Sequence, residues 1–340
     1  MSYRYLGNKT RLVDWIVGVI SREIPIGSSI ADPMCGTASV AFALAQAGYS
    51  VMAADALSFP VVHAHARLIA KKAPDYEALG GYEGALDWMR SVQPIEGYFF
   101  REFGDEGQPA NGRSSRRYFS AKNAAHIDGV RAGIEKMRKA GEISETEQYV
   151  MLQHLILATN KVANISGTYG YFRRTLSTSA LRPLSFEALK FDRTIGNHAV
   201  VQGNVEDLAP KLNTDAVYLD PPYTKRQYAG NYHVLETLAR GDEPIAVGDG
   251  GLRPWQEQAS KFCYKRTAAD AFRETLERLR VPHIFISYSE DGQVGEKELL
   301  SILREFGKVA MHEHPYSRYR SNAKGKDGTV LERLYHVKAI

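Results

Sequence analysis

The chain has 340 residues, 44% hydrophobic and 24% charged, enough to bury one large core or two ordinary ones without covalent staples. It has no apolar run long enough to cross a bilayer, and its first residues, Met1-Ser2-Tyr3-Arg4-Tyr5, lack the apolar core of a signal peptide, which predicts a cytoplasmic protein. Two cysteines, Cys35 and Cys263, exclude a disulfide framework and a cysteine-based zinc site, and a formal net charge of +4 is too small by itself to argue for a nucleic-acid partner.

In chain order, Tyr5-Leu6-Gly7-Asn8-Lys9 forms a glycine-containing turn. Leu12, Trp15, Ile16, Val19 and Ile20 then recur at helical spacing, predicting a helix over 8–24 with Asn8 as its N-cap. Residues 28–32 predict a short strand, 33–37 a turn, 38–47 a helix and 49–54 a second strand ending at Asp55. Strand, glycine turn, helix, strand, acid is the nucleotide-binding βαβ order, with the acid about 20 residues past the turn. Alternation then stops. Helices are predicted over 59–72, 82–91, 121–139 and 144–163, and a polar loop over 103–117. It resumes with strands at 199–202 and 217–220, a helix at 232–239, a Gly- and Asp-rich mobile loop at 240–254 and a helix at 267–279. A strand at 283–288, a helix at 295–306 and a closing hairpin of 309–313 with 334–337 complete the chain. The division is an α/β domain, 1–58 with 197–340, interrupted by a mostly helical subdomain, 59–196.

The chemistry centres on Asp220-Pro221-Pro222-Tyr223, directly after the apolar run Ala216-Val217-Tyr218-Leu219. Two prolines cannot continue a central strand, so the chain turns there and holds a carboxylate and an aromatic ring at the carboxyl end of the sheet. Ligands bind at that end of open α/β sheets. A ring beside a carboxylate suits a flat heterocycle with an exocyclic amine: Tyr223 stacks on the base, while Asp220 and the Pro221 carbonyl accept the amine hydrogens. Stacking contributes about 1–3 kcal/mol, and extracting a base from a duplex costs a few, so further contacts are required. Asp32, Gly36 and Asp55 together suit an adenosine-bearing cofactor, although the turn has a single glycine and the full dinucleotide fingerprint is missing. Lys9 in a first helical turn opposes the helix dipole, which favours an anionic partner such as a cofactor carboxylate or a phosphate.

Residues 148–186 contain neither Asp nor Glu but do contain Lys161, Arg173, Arg174 and Arg182, interleaved with Asn160, Asn164, Tyr169, Tyr171 and Phe172. Further basic patches are Lys225, Arg226, Tyr228 and Tyr232; Arg113, Arg116 and Arg117; and Tyr316, Arg318, Tyr319, Arg320, Lys324 and Lys326. Each alone reads as a solvated face; several in a nearly balanced chain point to nucleic acid. His63 and His65 lack nearby Cys or carboxylate partners and read as ordinary helix residues, so no metal is expected.

Tyr5-x-Gly7-x-Lys9, Asp32-Pro33-x-x-Gly36, Asp55, Asp220-Pro221-Pro222-Tyr223 and residues 283–292 resemble, in that order, the motifs of the Dam-type DNA N6-adenine methyltransferases, in the alpha arrangement. Residues 160–170 are similar to the stretch where the family's insert contacts DNA. The resemblance implies a Rossmann-like methyltransferase sheet with a C-terminal antiparallel hairpin, S-adenosylmethionine as cofactor, double-stranded DNA as substrate and a cognate restriction endonuclease as possible partner. It implies cofactor contacts at Tyr5, Gly7, Lys9, Asp32, Met34, Gly36, Asp55, Asn204 and Asp220, with catalysis at Asp220 to Tyr223. DNA contacts are expected at Arg116, Arg117, Asn160, Lys161, Asn164, Tyr169, Arg173, Arg174, Lys225, Arg226, Tyr228, Arg318 and Arg320. Met34 stands where the family usually has an aromatic, Ala38 where it has a second glycine, and Asn204, near Glu206 and Asp207, where it has an acid. RNA adenine methylation and a DNA-binding specificity protein with an inactive transfer site are the alternatives.

Overall fold

The computed structural model describes residues 5–111, 114–192, 194–317 and 329–339. The chain forms two compact units: Gly7–Ala64 with Arg193–Tyr228 and Gln258–Ile340, and Met1–Leu6 with His65–Asp192 and Ala229–Glu257.

The first unit carries a seven-stranded sheet in the order β3-β2-β1-β4-β5-β7-β6. The strands are β1 (Ser29–Asp32), β2 (Ser50–Asp55), β3 (Ala199–Gln202), β4 (Ala216–Leu219), β5 (His283–Ser289), β6 (Gly307–Ser317) and β7 (Thr329–Ala339). β3-β2-β1-β4-β5 are parallel; β7 runs antiparallel to β5 and β6 antiparallel to β7. This is the Rossmann-like methyltransferase arrangement with the expected C-terminal hairpin. β4 is central, and all four of its residues are buried. Its continuous apolar run, rather than an alternating one, follows from being covered on both faces. β3 lies at an edge and is mostly exposed, and it is correspondingly less apolar. One core packs Val217, Leu219, Ile284 and Ile286 against Phe272, Leu276, Leu299 and Ile302 of helices Ala268–Arg278 and Glu296–Arg304. Each such aliphatic side chain contributes about 1.5–3 kcal/mol of transfer free energy. The hairpin is longer than its apolar pattern predicts: β6 and β7 pair from Gly307↔Ala339 to Ser317↔Thr329. Ladder hydrogen bonding continues where the side chains turn polar. Arg318 and Arg320, with Tyr319, Lys324 and Lys326, lie outside the described residues.

The predicted helix over 8–24 spans only Val13–Glu23. Asn8 does not cap it; its Oδ1 accepts from the Thr10 N–H at 2.9 Å, a local turn that delays the helix.

The second unit is helical. Helices Tyr82–Ser91 and Ala121–Lys139 coincide with their predicted bounds. Helix Glu145–Val162 is preceded by Ser144, which forms a capping box with Glu147. Helix Tyr98–Phe103 was not predicted. Its N-terminus is capped by Asp128, which accepts from the N–H groups of Gly97, Phe99 and Phe100 at 3.1, 2.9 and 2.8 Å. A cap supplied from another helix leaves no local sequence signature. Residues 229–257, grouped from sequence with the α/β domain, cluster with this unit. Helix His233–Arg240 buries every residue except Arg240. The predicted mobile loop over 240–254 is pinned: Val247 bridges Leu252, Tyr118 Oη donates to the Gly250 carbonyl at 2.9 Å, and Arg253 forms an ion pair with Asp242 at 2.8 Å.

Arg116, expected to contact DNA, is fully buried here, where its guanidinium bonds Glu102 and donates to the Gly248 carbonyl at 3.2 Å. Breaking a buried ion pair from one side strands the other charge. Glu102→Ala should therefore lower stability by roughly 3–5 kcal/mol, seen as a lower urea midpoint for the helical unit; an unchanged midpoint would show that the pair contributes little.

Candidate active site

At the carboxyl end of β4 the chain turns through Pro221 and Pro222, leaving Asp220 half-buried just past the last strand residue. β1 and β4 are neighbours, while the chain continues from β1 toward β2 and from β4 toward β5. Their carboxyl ends therefore flank the point where strand order reverses, the crevice in which open α/β sheets bind ligands. Asp32 ends β1, Asp55 ends β2 and Asp220 follows β4.

Burial holds the Asp32 carboxyl well above the usual range, and the nearby charges of Asp220 and Asp55 add to the effect. Asp32 Oδ1 is buried and has no hydrogen-bond partner among the described residues. Asp55 organises the turn after β1: its Oδ2 accepts from Gly36 N–H at 3.0 Å and its Oδ1 from Leu57 N–H at 3.0 Å, while its carbonyl accepts from Gly203 N–H at 2.9 Å. Gly36 and Ala38 both lie in the left-handed region, at φ +51° and +54°. Ala38 thus occupies a conformation that glycine adopts freely. Met34 is partly buried against the sheet core. Asn204 follows β3 and sits exposed at the N-terminus of helix Val205–Leu208.

Lys9 enters this cluster from the segment ahead of helix Val13–Glu23. It is 4% exposed, with Nζ 3.2 Å from Asp220 Oδ1 and 2.6 Å from Glu332 Oε1, and 5.5 Å from the centroid of the Tyr223 ring. Lys9 lies ahead of the helix rather than in its first turn, and the anions that it pairs with are two carboxylates of the chain itself rather than a cofactor carboxylate or a phosphate. Burial alone would lower the Lys9 pKa, but Asp220 and Glu332 together outweigh it and hold the ammonium charged. Burial pushes Asp220 up to about 6; Lys9 opposes that rise and Glu332 adds to it. Glu332, on β7, also accepts from Ser287 Oγ at 2.7 Å. Glu332 belongs to none of the sequence motifs. Its signal was a carboxylate just ahead of the apolar residues Leu334, Tyr335 and Val337 on the same strand.

Tyr223 is fixed from behind by an edge-to-face contact with Tyr288, centroids 6.3 Å apart, and its carbonyl accepts from Gln293 N–H at 3.1 Å. Gly7 passes close to both rings at φ +71°; a Cβ there would lie 3.0 Å from Tyr228 Oη and 4.0 Å from Tyr223 Cε1. Tyr5 belongs to the helical unit, stacked on Tyr232 at 4.9 Å.

The expected nucleic-acid residues divide. Asn160, Asn164 and Tyr169 are buried, which corrects their reading as base-contacting groups. Tyr169 Oη donates to Asn160 Oδ1 at 3.1 Å. Asn164 donates to the carbonyls of Arg117 and Arg173 and accepts from Ser177 N–H, so its amide holds a loop together. Arg117, Arg173, Arg174, Lys225 and Arg226 are exposed, and Tyr228 is half-buried. Lys161 is exposed but forms an ion pair with Glu187 at 2.6 Å. Tyr171, 56% exposed, stacks on Phe172 at 4.6 Å. His63 packs edge-on against Phe59 and His65 stacks on Tyr149, as ordinary side chains.

Residues 5–287 match the family described as D12 class N6 adenine-specific DNA methyltransferase. The chain belongs to this family. It is 30% identical to the type II methyltransferase M.FokI of Planomicrobium okeanokoites, over 98% of this chain and 52% of that one. It is 32% identical to M.NlaIII of Neisseria lactamica over 74% of each, and 26% identical to M.CviAII of Paramecium bursaria Chlorella virus 1 over 98% and 97%. It spans about half the length of M.FokI and of the methylases LlaI and StsI.

Gly7→Ala would force a side chain into the left-handed region against Tyr228, at a cost of about 1–2 kcal/mol. A urea titration should show that loss for the α/β unit, and full retention of stability would mean that the backbone at residue 7 relaxes without cost.

Proposed function

We propose that the chain transfers a methyl group from S-adenosylmethionine to the N6 amine of adenine in double-stranded DNA, as the modification activity of a restriction-modification or phage/host methylation system. The single observation that carries the reading is Asp220 at the sheet's reversal point, held by a buried Lys9 beside the ring of Tyr223.

The cofactor fits the residues present. Asp32 offers a buried oxygen in need of a donor, and Asp55, at the end of β2, is aligned by two backbone N–H groups beside it. Gly36, Met34 and Asn204 surround the same strand ends. When bound, the cofactor supplies an electrophilic methyl group on a sulfonium.

The adenine, flipped from the duplex, would stack on Tyr223. Asp220 and the Pro221 carbonyl would each accept one N6 hydrogen, which localises the nitrogen lone pair and directs it at the methyl. As the N–C bond formed, the methyl–sulfur bond would break and leave a neutral thioether, and the nitrogen would become cationic and lose one proton toward Asp220. Asp220 then faces growing positive charge, and this electrostatic alignment supplies most of the acceleration. Lys9 keeps Asp220 ionised and oriented rather than binding the cofactor itself.

The helical unit would serve as the target-recognition part, with Arg117, Arg173, Arg174 and Tyr171 facing the duplex and Lys225 and Arg226 adding phosphate contacts from the α/β unit. No described helix is long and apolar enough to cross a membrane; a DNA substrate suits a cytoplasmic location. A cognate restriction endonuclease would complete the system.

Asp220→Ala should reduce methyl incorporation into duplex DNA by at least about a hundredfold in a chain that still folds, since Lys9 keeps Glu332 as its partner. In the wild type, protonating Asp220 removes the amine acceptor, so kcat/KM should be flat above about pH 6 and fall about tenfold per pH unit below it. Wild-type turnover by the alanine variant, or a profile without that acid limb, would remove Asp220 from the reaction.

A further inference from the structure

Glu332 lies beyond residue 287, where the family match ends. It is 5% exposed and is the nearer of the two carboxylates to the Lys9 ammonium, 2.6 Å against 3.2 Å for Asp220. Ser287 Oγ, from β5, donates to the same Oε1 and fixes its orientation. One ammonium between two carboxylates cannot fully neutralise both. If Lys9 paired with Asp220 alone, it would occupy lone pairs that the proposed amine contact requires and would make the carboxylate a weaker acceptor.

We propose that Glu332 is a positioning residue that draws the Lys9 ammonium partly off Asp220, so that Asp220 remains both anchored and available to the adenine amine. The inference rests on the methyl-transfer reading above. Among the described residues, the titratable and charged groups that act on Asp220 are Lys9 from the segment before the first helix, Asp32 from β1, Tyr218 from β4 and Glu332 from β7, with the Tyr223 ring beside Lys9. Lys9 is the one cation among these. Replacing Glu332 by glutamine removes a charge that raises the Asp220 pKa and releases Lys9, which lowers it. Both effects move Asp220 downward.

A purely stabilising Glu332 would lower the melting temperature and leave the Asp220 titration where it is. The test uses the full chain as wild type, Glu332→Gln and Glu332→Asp. Carbon-13 carboxylate NMR of the ligand-free protein, assigned with Asp220→Asn, reads the Asp220 titration; methyl transfer to duplex DNA gives the acid limb of kcat/KM. Glu332→Gln should move both downward by on the order of one pH unit and lower kcat by up to about tenfold with the DNA KM unchanged. Glu332→Asp keeps the charge on a shorter stem, so it should shift both the same way by less; it carries the test if the glutamine variant does not fold. An Asp220 titration and acid limb unchanged in a folded variant overturn the inference. A wild type that transfers no methyl group overturns the functional reading instead, and the NMR titration still decides the role of Glu332.

Discussion

A single buried ammonium shared by two carboxylates holds this site together. Lys9, Asp220 and Glu332 come from a turn before the first helix, the end of a central parallel strand and the antiparallel strand two places away. An ion buried without its partner costs several kcal/mol. Each of the three is therefore retained only if the others are in place, and the sheet must be complete for the site to exist. This gives the C-terminal hairpin a function beyond closing the sheet edge. β7 pairs with β5 in a register that sets Ser289 opposite Glu332, and that pairing delivers the carboxylate to Lys9.

The rest of the crevice is arranged around the resulting charge. Two carboxylates and one ammonium leave an excess negative charge, and burial keeps the neighbouring Asp32 carboxyl from adding fully to it. Such a surface suits a cationic sulfonium and a nitrogen that gains positive charge during reaction. Tyr223 is braced from behind by Tyr288, and the lack of a side chain at Gly7 lets the backbone pass beside it, so the ring's position is determined by packing rather than by a flexible loop.

Much of the fold was legible in the chain because it rests on local periodicity. The β4 run, the order of strand, turn, helix and strand near the N-terminus, and the helices Tyr82–Ser91 and Ala121–Lys139 all follow from spacing. The site was legible where a motif itself forces geometry, as at Asp220-Pro221-Pro222-Tyr223. Residue type could not separate surface from interior chemistry. Arg116, Asn160, Asn164 and Tyr169 are the kinds of residue that bind nucleic acid, yet each is buried and bonded within the helical unit. Lys9 read as a cation facing a cofactor carboxylate or a phosphate, but its anions lie in the chain itself, more than two hundred residues downstream at Asp220 and farther still at Glu332, a separation only the folded sheet closes. The Asp128 cap on helix Tyr98–Phe103 was hidden for the same reason.

The central claim is that Asp220 acts as the amine acceptor and that Lys9 sets its ionisation. The most direct test is the pH dependence of single-turnover methyl transfer to duplex DNA by Lys9→Met. Removing the ammonium removes the charge that opposes the rise of the Asp220 pKa, so the acid limb should move upward from about 6. A Lys9→Met enzyme that transfers methyl groups with an unshifted acid limb would contradict the account.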